Sequence, residues 1–197
     1  LIFQNVSMEF EKGNSYGFVG PNGCGKSVFF KTLCGYSLLT EGQVIYRGKI
    51  IGKEQDFIDD AGIVIEEPEF INSLSGLENL KILAEIQKKI SEAEIIEVLK
   101  QFDLYEDRNK KVGKYSVGMK QKLRLAQAVM EKPQVLILDE PMNGLDKKSV
   151  KKVEDILKAF VENGGTLLMT SHIEQQVEAC CKIVYEIDGG EILRVTD

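Results

Sequence analysis

Apolar positions along the chain follow two alternating periods. Short runs rich in β-branched and aromatic residues, "IFQNVSMEF", "SYGFVG", "GQVIYRG", "AGIVIE", "QVLILDE", "GTLLMTS" and "KIVYEI", alternate with stretches in which apolar residues recur at helical spacing. Strand and helix in alternation predict an α/β core with a largely parallel central sheet. Between the fourth and fifth runs the rhythm changes. From about residue 71 to 131 the pattern is helical only, and two helix starts are marked by the capping boxes Ser75-x-x-Glu78 and Ser91-x-x-Glu94. The predicted organisation is therefore one domain over 1–197, with a core of 1–70 and 132–197 and a helical subdomain of 71–131 inserted into it.

Composition narrows the class. A chain of 197 residues that is 43% hydrophobic can bury a core of its own. No apolar run reaches the roughly 18 residues a membrane span needs. The opening "LIFQNVSMEF" lacks signal-peptide architecture, and its start inside an apolar run without Met reads as the interior of a longer polypeptide. Cys24, Cys34, Cys180 and Cys181 form no C-x-x-C pair and no disulfide framework, so they are expected to be reduced thiols in a cytosolic protein. A net charge of −6 argues against a nucleic-acid partner. The charge is unevenly placed: residues 54–107 hold 15 acids against 4 lysines, and residues 108–152 hold 12 bases against 4 acids. This fits solvated helix surface, or a basic half that faces bound phosphates.

The candidate chemistry begins at "GPNGCGKS", which fits G-x-x-x-x-G-K-[ST] with a strand-like run before it and a helix-like run after it. Glycines let consecutive N–H groups turn inward, and the positive end of the following helix adds to their attraction for phosphate. Lys26 is expected to reach the β- and γ-phosphates and the Ser27 hydroxyl to ligate Mg²⁺. The second landmark is "QVLILDEP", 113 residues downstream of Lys26, where two adjacent acids emerge at the carboxyl end of a buried strand. Asp139 is expected to hold Mg²⁺ through water, and Glu140 to orient and polarise an attacking water.

The third landmark, "YSVGMKQKLRLAQAVMEKPQVLILDEPMNGLD", places a polar Gly-containing loop at a helix start just ahead of the acidic strand. Over essentially its whole length the chain resembles the nucleotide-binding subunit of an ATP-binding cassette (ABC) transporter. "YSVGM" matches the family signature LSGGQ with Ser116 and Gly118 retained; "NGLD" matches the D-loop ending in Asp146; His172 in "MTSHIE" matches the switch histidine. The resemblance implies a P-loop NTPase fold of the ABC ATPase type, with an antiparallel β part beside the parallel sheet. It also implies that Gly20, Pro21, Asn22, Gly23, Cys24, Gly25, Lys26, Ser27 and Val28 cradle ATP, with Glu140, His172 and Lys26 catalytic and Ser27, Asp139 and Glu66 around Mg²⁺. In this family the signature covers the ATP of a second cassette, so Ser116, Gly118 and Asp146 are expected at a partner's nucleotide. The implied partners are a second ABC ATPase, identical or related, and an integral membrane transporter subunit that holds the chain at the cytoplasmic face. By resemblance that subunit docks near the Glu66 loop and "EFINSLSGLENL". "EEP" and "YSVGMKQ" resemble the exporter branch that includes bacterial drug and antimicrobial-peptide efflux systems. A soluble cassette acting on ribosomes or DNA is the other class, and it ordinarily carries a second cassette or long coiled coils.

Three positions depart from the family. Glu66 stands for the Q-loop glutamine, Val28 for a phosphate-contacting hydroxyl residue, and Val117 for the first signature glycine. Loss of one hydrogen bond at Val28 costs about 0.5–1.5 kcal/mol, too little to abolish binding. A β-branched Val117 resists positive φ and leaves Gly118 as the close-approach residue. The family's adenine-stacking aromatic is expected upstream of residue 1, with Phe3 and Phe10 in the core. Ser171-x-x-Glu174 is expected to open a helix as a third capping box, so that His172 sits in its first turn.

Overall fold

The computed structural model describes residues 2–66 and 70–195. Strand β1 (Ser15–Val19) leads through a glycine-rich turn into α1 (Lys26–Cys34), and a small hairpin, β2 (Ile45–Tyr46) and β3 (Lys49–Ile50), precedes β4 (Ala61–Val64). Three helices follow before the chain returns to the sheet: α2 (Gly76–Gln87), α3 (Glu92–Gln101) and α4 (Val117–Val129). The remainder alternates as β5 (Val135–Leu138), α5 (Lys147–Glu162), β6 (Thr166–Thr170), α6 (Glu174–Cys180), β7 (Ile183–Asp188) and β8 (Glu191–Arg194).

The central sheet has the order β4-β5-β6-β1-β7-β8, parallel throughout except for the antiparallel β7–β8 pair. Side chains alternate across it with period two. Leu136 and Leu138 of β5 and Leu167 and Met169 of β6 join one core with Leu99 and Leu123 of the helical stretch. Ile137 and Leu168 face the other way, into a core with Phe18 of β1 and Phe29 and Phe30 of α1. Both faces are covered, which is why these strands read as continuous apolar runs. From β1 the chain moves to β4 on one side, and β6 later connects across β1 to β7 on the other. The carboxyl end of β1 is thus the point where the connections diverge, the usual place for a ligand crevice in an open α/β sheet.

Two of the expected strands differ. Residues 2–10 form no strand: their alternation packs half-buried Phe3 against Phe29 (ring centroids 5.9 Å) and half-buried Phe10 against Tyr16 (4.9 Å), but no strand among the described residues pairs with their backbone. "GQVIYRG" yields only the two paired residues of β2, which turns through Arg47 (φ 49) and Gly48 (φ 78) into β3. Strand β8 lies outside the runs that the apolar pattern marks as strands. It returns from β7 through Gly189 (φ 54) and Gly190 (φ 86), a two-glycine hairpin between apolar runs. Ser75 and Ser91 cap α2 and α3 with reciprocal bonds to Glu78 and Glu94. The third expected box does not form: Ser171 accepts from the Ile173 N–H (3.0 Å) and donates to Gln176 (2.9 Å), so α6 begins at Glu174 with Ile173 as its cap. Among the described residues no helix is long and apolar enough to cross a membrane.

Candidate functional site

The loop between β1 and α1 is built by close backbone approach. A Cβ on Gly20 would lie 2.3 Å from the Ile187 carbonyl oxygen, and Gly25, the cap residue of α1, has φ 109, which only glycine adopts without strain. The chain therefore reverses tightly enough to point the first turn of α1 at the crevice. Buried Lys26 lies back across this loop, its Nζ donating to the Gly20 carbonyl (2.8 Å) and the Pro21 carbonyl (3.1 Å). A cavity of about 230 Å³ opens here, lined by Asn22, Gly23, Gly25, Lys26, Ser27, Val28, Asp139 and Glu140. A larger groove of about 570 Å³ runs between residues 2–8 and the β7–β8 turn, but Glu191 is its sole ionisable lining residue.

Asp139 leaves the end of β5 with its N–H donating to the Val64 carbonyl (2.7 Å). Its two carboxylate oxygens accept from the hydroxyls of Ser27 and Thr170. The Ser27 hydroxyl and the Asp139 carboxylate together are a hard-oxygen pair suited to Mg²⁺. Among the described residues no cluster of three or more His, Cys, Asp or Glu could hold a metal.

Glu140 follows with φ 49, a left-handed conformation that costs a non-glycine residue about 1–3 kcal/mol and persists only where neighbours over-determine it. Its N–H donates to Thr170 Oγ1 (2.9 Å), and its carbonyl accepts from the Asn143 N–H (3.1 Å) and more weakly from Gln121 Nε2 (3.4 Å). So fixed, its carboxylate meets the His172 ring, Oε2 to Nδ1, at 2.8 Å. An ionised carboxylate only accepts, so Nδ1 carries the proton in this pair.

The signature residues lie elsewhere. Ser116 caps α4, its hydroxyl accepting from the Met119 N–H (3.2 Å), and Val117 is the first helical residue with its side chain 70% exposed. Asp146 caps α5, accepting from the backbone N–H and the hydroxyl of Ser149; the backbone bond is the larger cause of its lowered pKa. The two motifs touch: a Cβ on Gly118 would lie 3.1 Å from the Gly144 carbonyl oxygen, and one on Gly144 would lie 2.9 Å from Val117. Ser116, Gly118 and Asp146 are absent from the lining of the cavity that Lys26 and Ser27 share. Glu66 (φ 61) is absent from it as well and forms an ion pair with Lys31 of α1. Glu67 and Pro68, the rest of the "EEP" motif, lie outside the described residues, as does Glu69.

Three residues of this neighbourhood are given no role by the sequence motifs: Thr170, Gln121 and Lys31. Each carries a signal nonetheless. Thr170 is a polar residue closing a buried strand whose three middle residues, Leu167 to Met169, are apolar. Gln121 is a polar residue on the inner face of α4, and Lys31 stands one helical turn after Ser27.

Residues 3–143 match the model of the family described as ABC transporter. The chain is 37% identical over 191 residues to the ABC transporter ATP-binding protein YybJ of Bacillus subtilis, covering 97% of this chain and 88% of that protein. It is 34% identical to the lantibiotic transport ATP-binding protein SrtF of Streptococcus pyogenes (98% and 82% covered). It is 32% identical to the bacitracin transport ATP-binding protein BcrA of Enterococcus faecalis, of which it spans 63%. In fold it superposes on the ATP-binding cassette MJ0796, solved as a dimer in a post-hydrolysis state bound to ADP and Pi, with a TM-score of 0.87 at 22% identity, covering 100% of this chain and 91% of that one. The phosphate loop, the acidic strand end and the motif order thus have one common explanation: the chain belongs to the ABC transporter family, as an ATP-binding ATPase subunit.

Proposed function

We propose that this ATPase works as half of a head-to-tail pair, with a second copy or a related cassette, and that the pair drives export through a separate membrane subunit at the cytoplasmic face. The reading divides the chain into a nucleotide-holding core (1–70 and 132–197) and a helical part (71–131) that carries the signature. Gly20 to Val28 wrap the phosphates through inward N–H groups, and Lys26 exchanges the loop carbonyls for the β- and γ-phosphate oxygens. Ser27 and Asp139 would hold Mg²⁺, and the Glu66 carboxylate would turn toward it on leaving its ion pair with Lys31. When bound, the cation neutralises charge that develops on the phosphate oxygens. Glu140 takes the proton of the attacking water, and His172 fixes the Glu140 carboxylate through Nδ1. Ser116, Gly118 and Asp146 serve the mate's nucleotide, where the N-terminus of α4 adds a positive dipole end.

The observation that carries this reading is the Glu140–His172 hydrogen bond of 2.8 Å beside the cavity that contains Lys26, Ser27 and Asp139. The relatives named for lantibiotic and bacitracin transport favour peptide antibiotics as the cargo class. The test is size-exclusion chromatography in ATP with Glu140→Gln. The variant is expected to lose turnover by about 10²-fold or more and to elute as a nucleotide-bound dimer. A Glu140→Gln protein that hydrolyses ATP at the wild-type rate contradicts the assignment.

A further inference from the structure

We propose that Thr170 is a positioning residue for hydrolysis, holding the Asp139 carboxylate and the Glu140 backbone in one hydrogen-bonded unit. The inference rests on the roles given above to Asp139 and Glu140. Thr170 ends β6, one step beyond the paired residues Leu138 and Met169, so the parallel register of β5 and β6 sets it directly beside the acidic pair. Its side chain is fully buried (0% exposed), where a hydroxyl is tolerated only if satisfied.

The hydroxyl is satisfied in a directional way. It accepts the Glu140 N–H at 2.9 Å, which occupies a lone pair, and its own proton goes to Asp139 Oδ1. A hydroxyl has one proton to give, so the polarity Glu140 N–H to Thr170 O–H to Asp139 carboxylate is fixed. Two consequences follow. The Ser27 hydroxyl, bound to the other oxygen of Asp139, can turn to a cation without leaving the carboxylate unsupported, because Thr170 keeps Oδ1. Glu140, held at φ 49, also keeps the backbone conformation that brings its carboxylate to His172. Without the Thr170 acceptor, Glu140 relaxes toward ordinary backbone geometry and the carboxylate leaves its working position.

The test uses the full-length protein with Thr170→Val, which keeps the shape and removes the hydroxyl, and Thr170→Ser, which keeps the hydroxyl. Thr170→Val is expected to lower kcat about tenfold or more with KM for ATP changed less than about twofold, since displacement of a catalytic group by about 1 Å is enough for that loss. Thr170→Ser is expected to recover most of the rate. Single-turnover hydrolysis in a Glu140→Gln background is expected to slow far less on adding Thr170→Val than the wild type does, because most of the effect passes through Glu140 and only the hold on Asp139 is left to lose. A Thr170→Val protein with wild-type kcat overturns the proposal, as does a Thr170→Ser protein as slow as the valine variant, or a loss in the Glu140→Gln background as large as that in the wild type. Where Thr170→Val does not fold, Thr170→Ser and Thr170→Cys decide: serine near wild type with cysteine slowed supports the proposal, and equal rates overturn it. Glu140→Gln with unimpaired hydrolysis would instead overturn the assignment of Glu140 on which the proposal rests.

Discussion

Gln121 ties the signature helix to the turn that carries Glu140, and its replacement by Met separates them at nearly constant volume. The side chain is 5% exposed. Its Nε2 donates to the Pro141 carbonyl at 2.8 Å and to the Glu140 carbonyl at 3.4 Å, and its Oε1 accepts from Arg124 Nη1 at 3.0 Å. The short neutral bond contributes about 1 kcal/mol, the long one less, and the bond from the guanidinium about 1.5–3 kcal/mol. Burying a thioether in place of an amide returns part of this, since the amide no longer has to be desolvated. The net loss is about 2–3 kcal/mol. For a chain of this size that is a fall in Tm of about 4–12 °C. Thermal unfolding of Gln121→Met followed by circular dichroism checks the figure, and ATP binding measured alongside is expected to change less than about twofold, because Gln121 touches no residue of the phosphate loop. An unaltered Tm would refute the reasoning: it would mean that the polar bridge between α4 and the Pro141 turn contributes nothing net over an apolar contact.

Gly62 in β4 lies under α4, where a Cβ would come within 2.0 Å of the Ala128 carbonyl oxygen; Gly62→Ala is expected to cost about 3 kcal/mol or more, read as a lower urea midpoint with unchanged m. Burial pushes the Cys34 and Cys180 thiols up to about 12 and raises Cys181 well above its usual value, whereas Cys24 is only half-buried within the phosphate loop. Iodoacetamide at mild alkaline pH is therefore expected to label Cys24 first and to block nucleotide binding; full ATPase activity after stoichiometric labelling of Cys24, identified by mass spectrometry, contradicts this. The Lys132 ammonium, followed by the Ser91 backbone and hydroxyl, holds the Glu94 carboxyl down to about 2. A depressed carboxylate pKa means that its support for α3 is complete above the unfolded value near 4.3 and is lost as pH falls toward 2. Carboxyl NMR should show Glu94 titrating near the lower limit, and a midpoint above 4 refutes the pairing.

Features written into contiguous residues are legible in the sequence itself. The glycine-rich loop, the acidic strand end and the Ser75 and Ser91 boxes each depend on chemistry within a few positions, and the cores on the two sheet faces follow from the period of the strands. What escapes a reading along the chain depends on neighbours distant in sequence. Residues 2–10 have the alternation of a strand without a described partner, and strand identity is a property of the pair. The hairpin signal Gly189-Gly190 is present but stands beyond the last run with the pattern of a strand. Ser171 has the spacing of a cap, yet its hydroxyl is taken by Ile173 and Gln176. Thr170 and Gln121 acquire their roles only when β6 and α4 lie against the Glu140 turn, 30 and 19 residues away in sequence. The ion pair of Glu66 with Lys31 likewise joins residues 35 apart.

Complementation between two defective variants tests most directly whether the signature of one chain completes the phosphate loop of another. Lys26→Ala removes the loop cation and Ser116→Arg obstructs the signature; each protein alone should hydrolyse ATP at background rates. Mixed in equal amounts, half of the head-to-tail pairs are mixed and one of their two sites is intact, so the mixture should recover about one quarter of wild-type activity. A mixture that stays at background, or a Ser116→Arg protein that turns over ATP unimpaired on its own, would contradict the shared site.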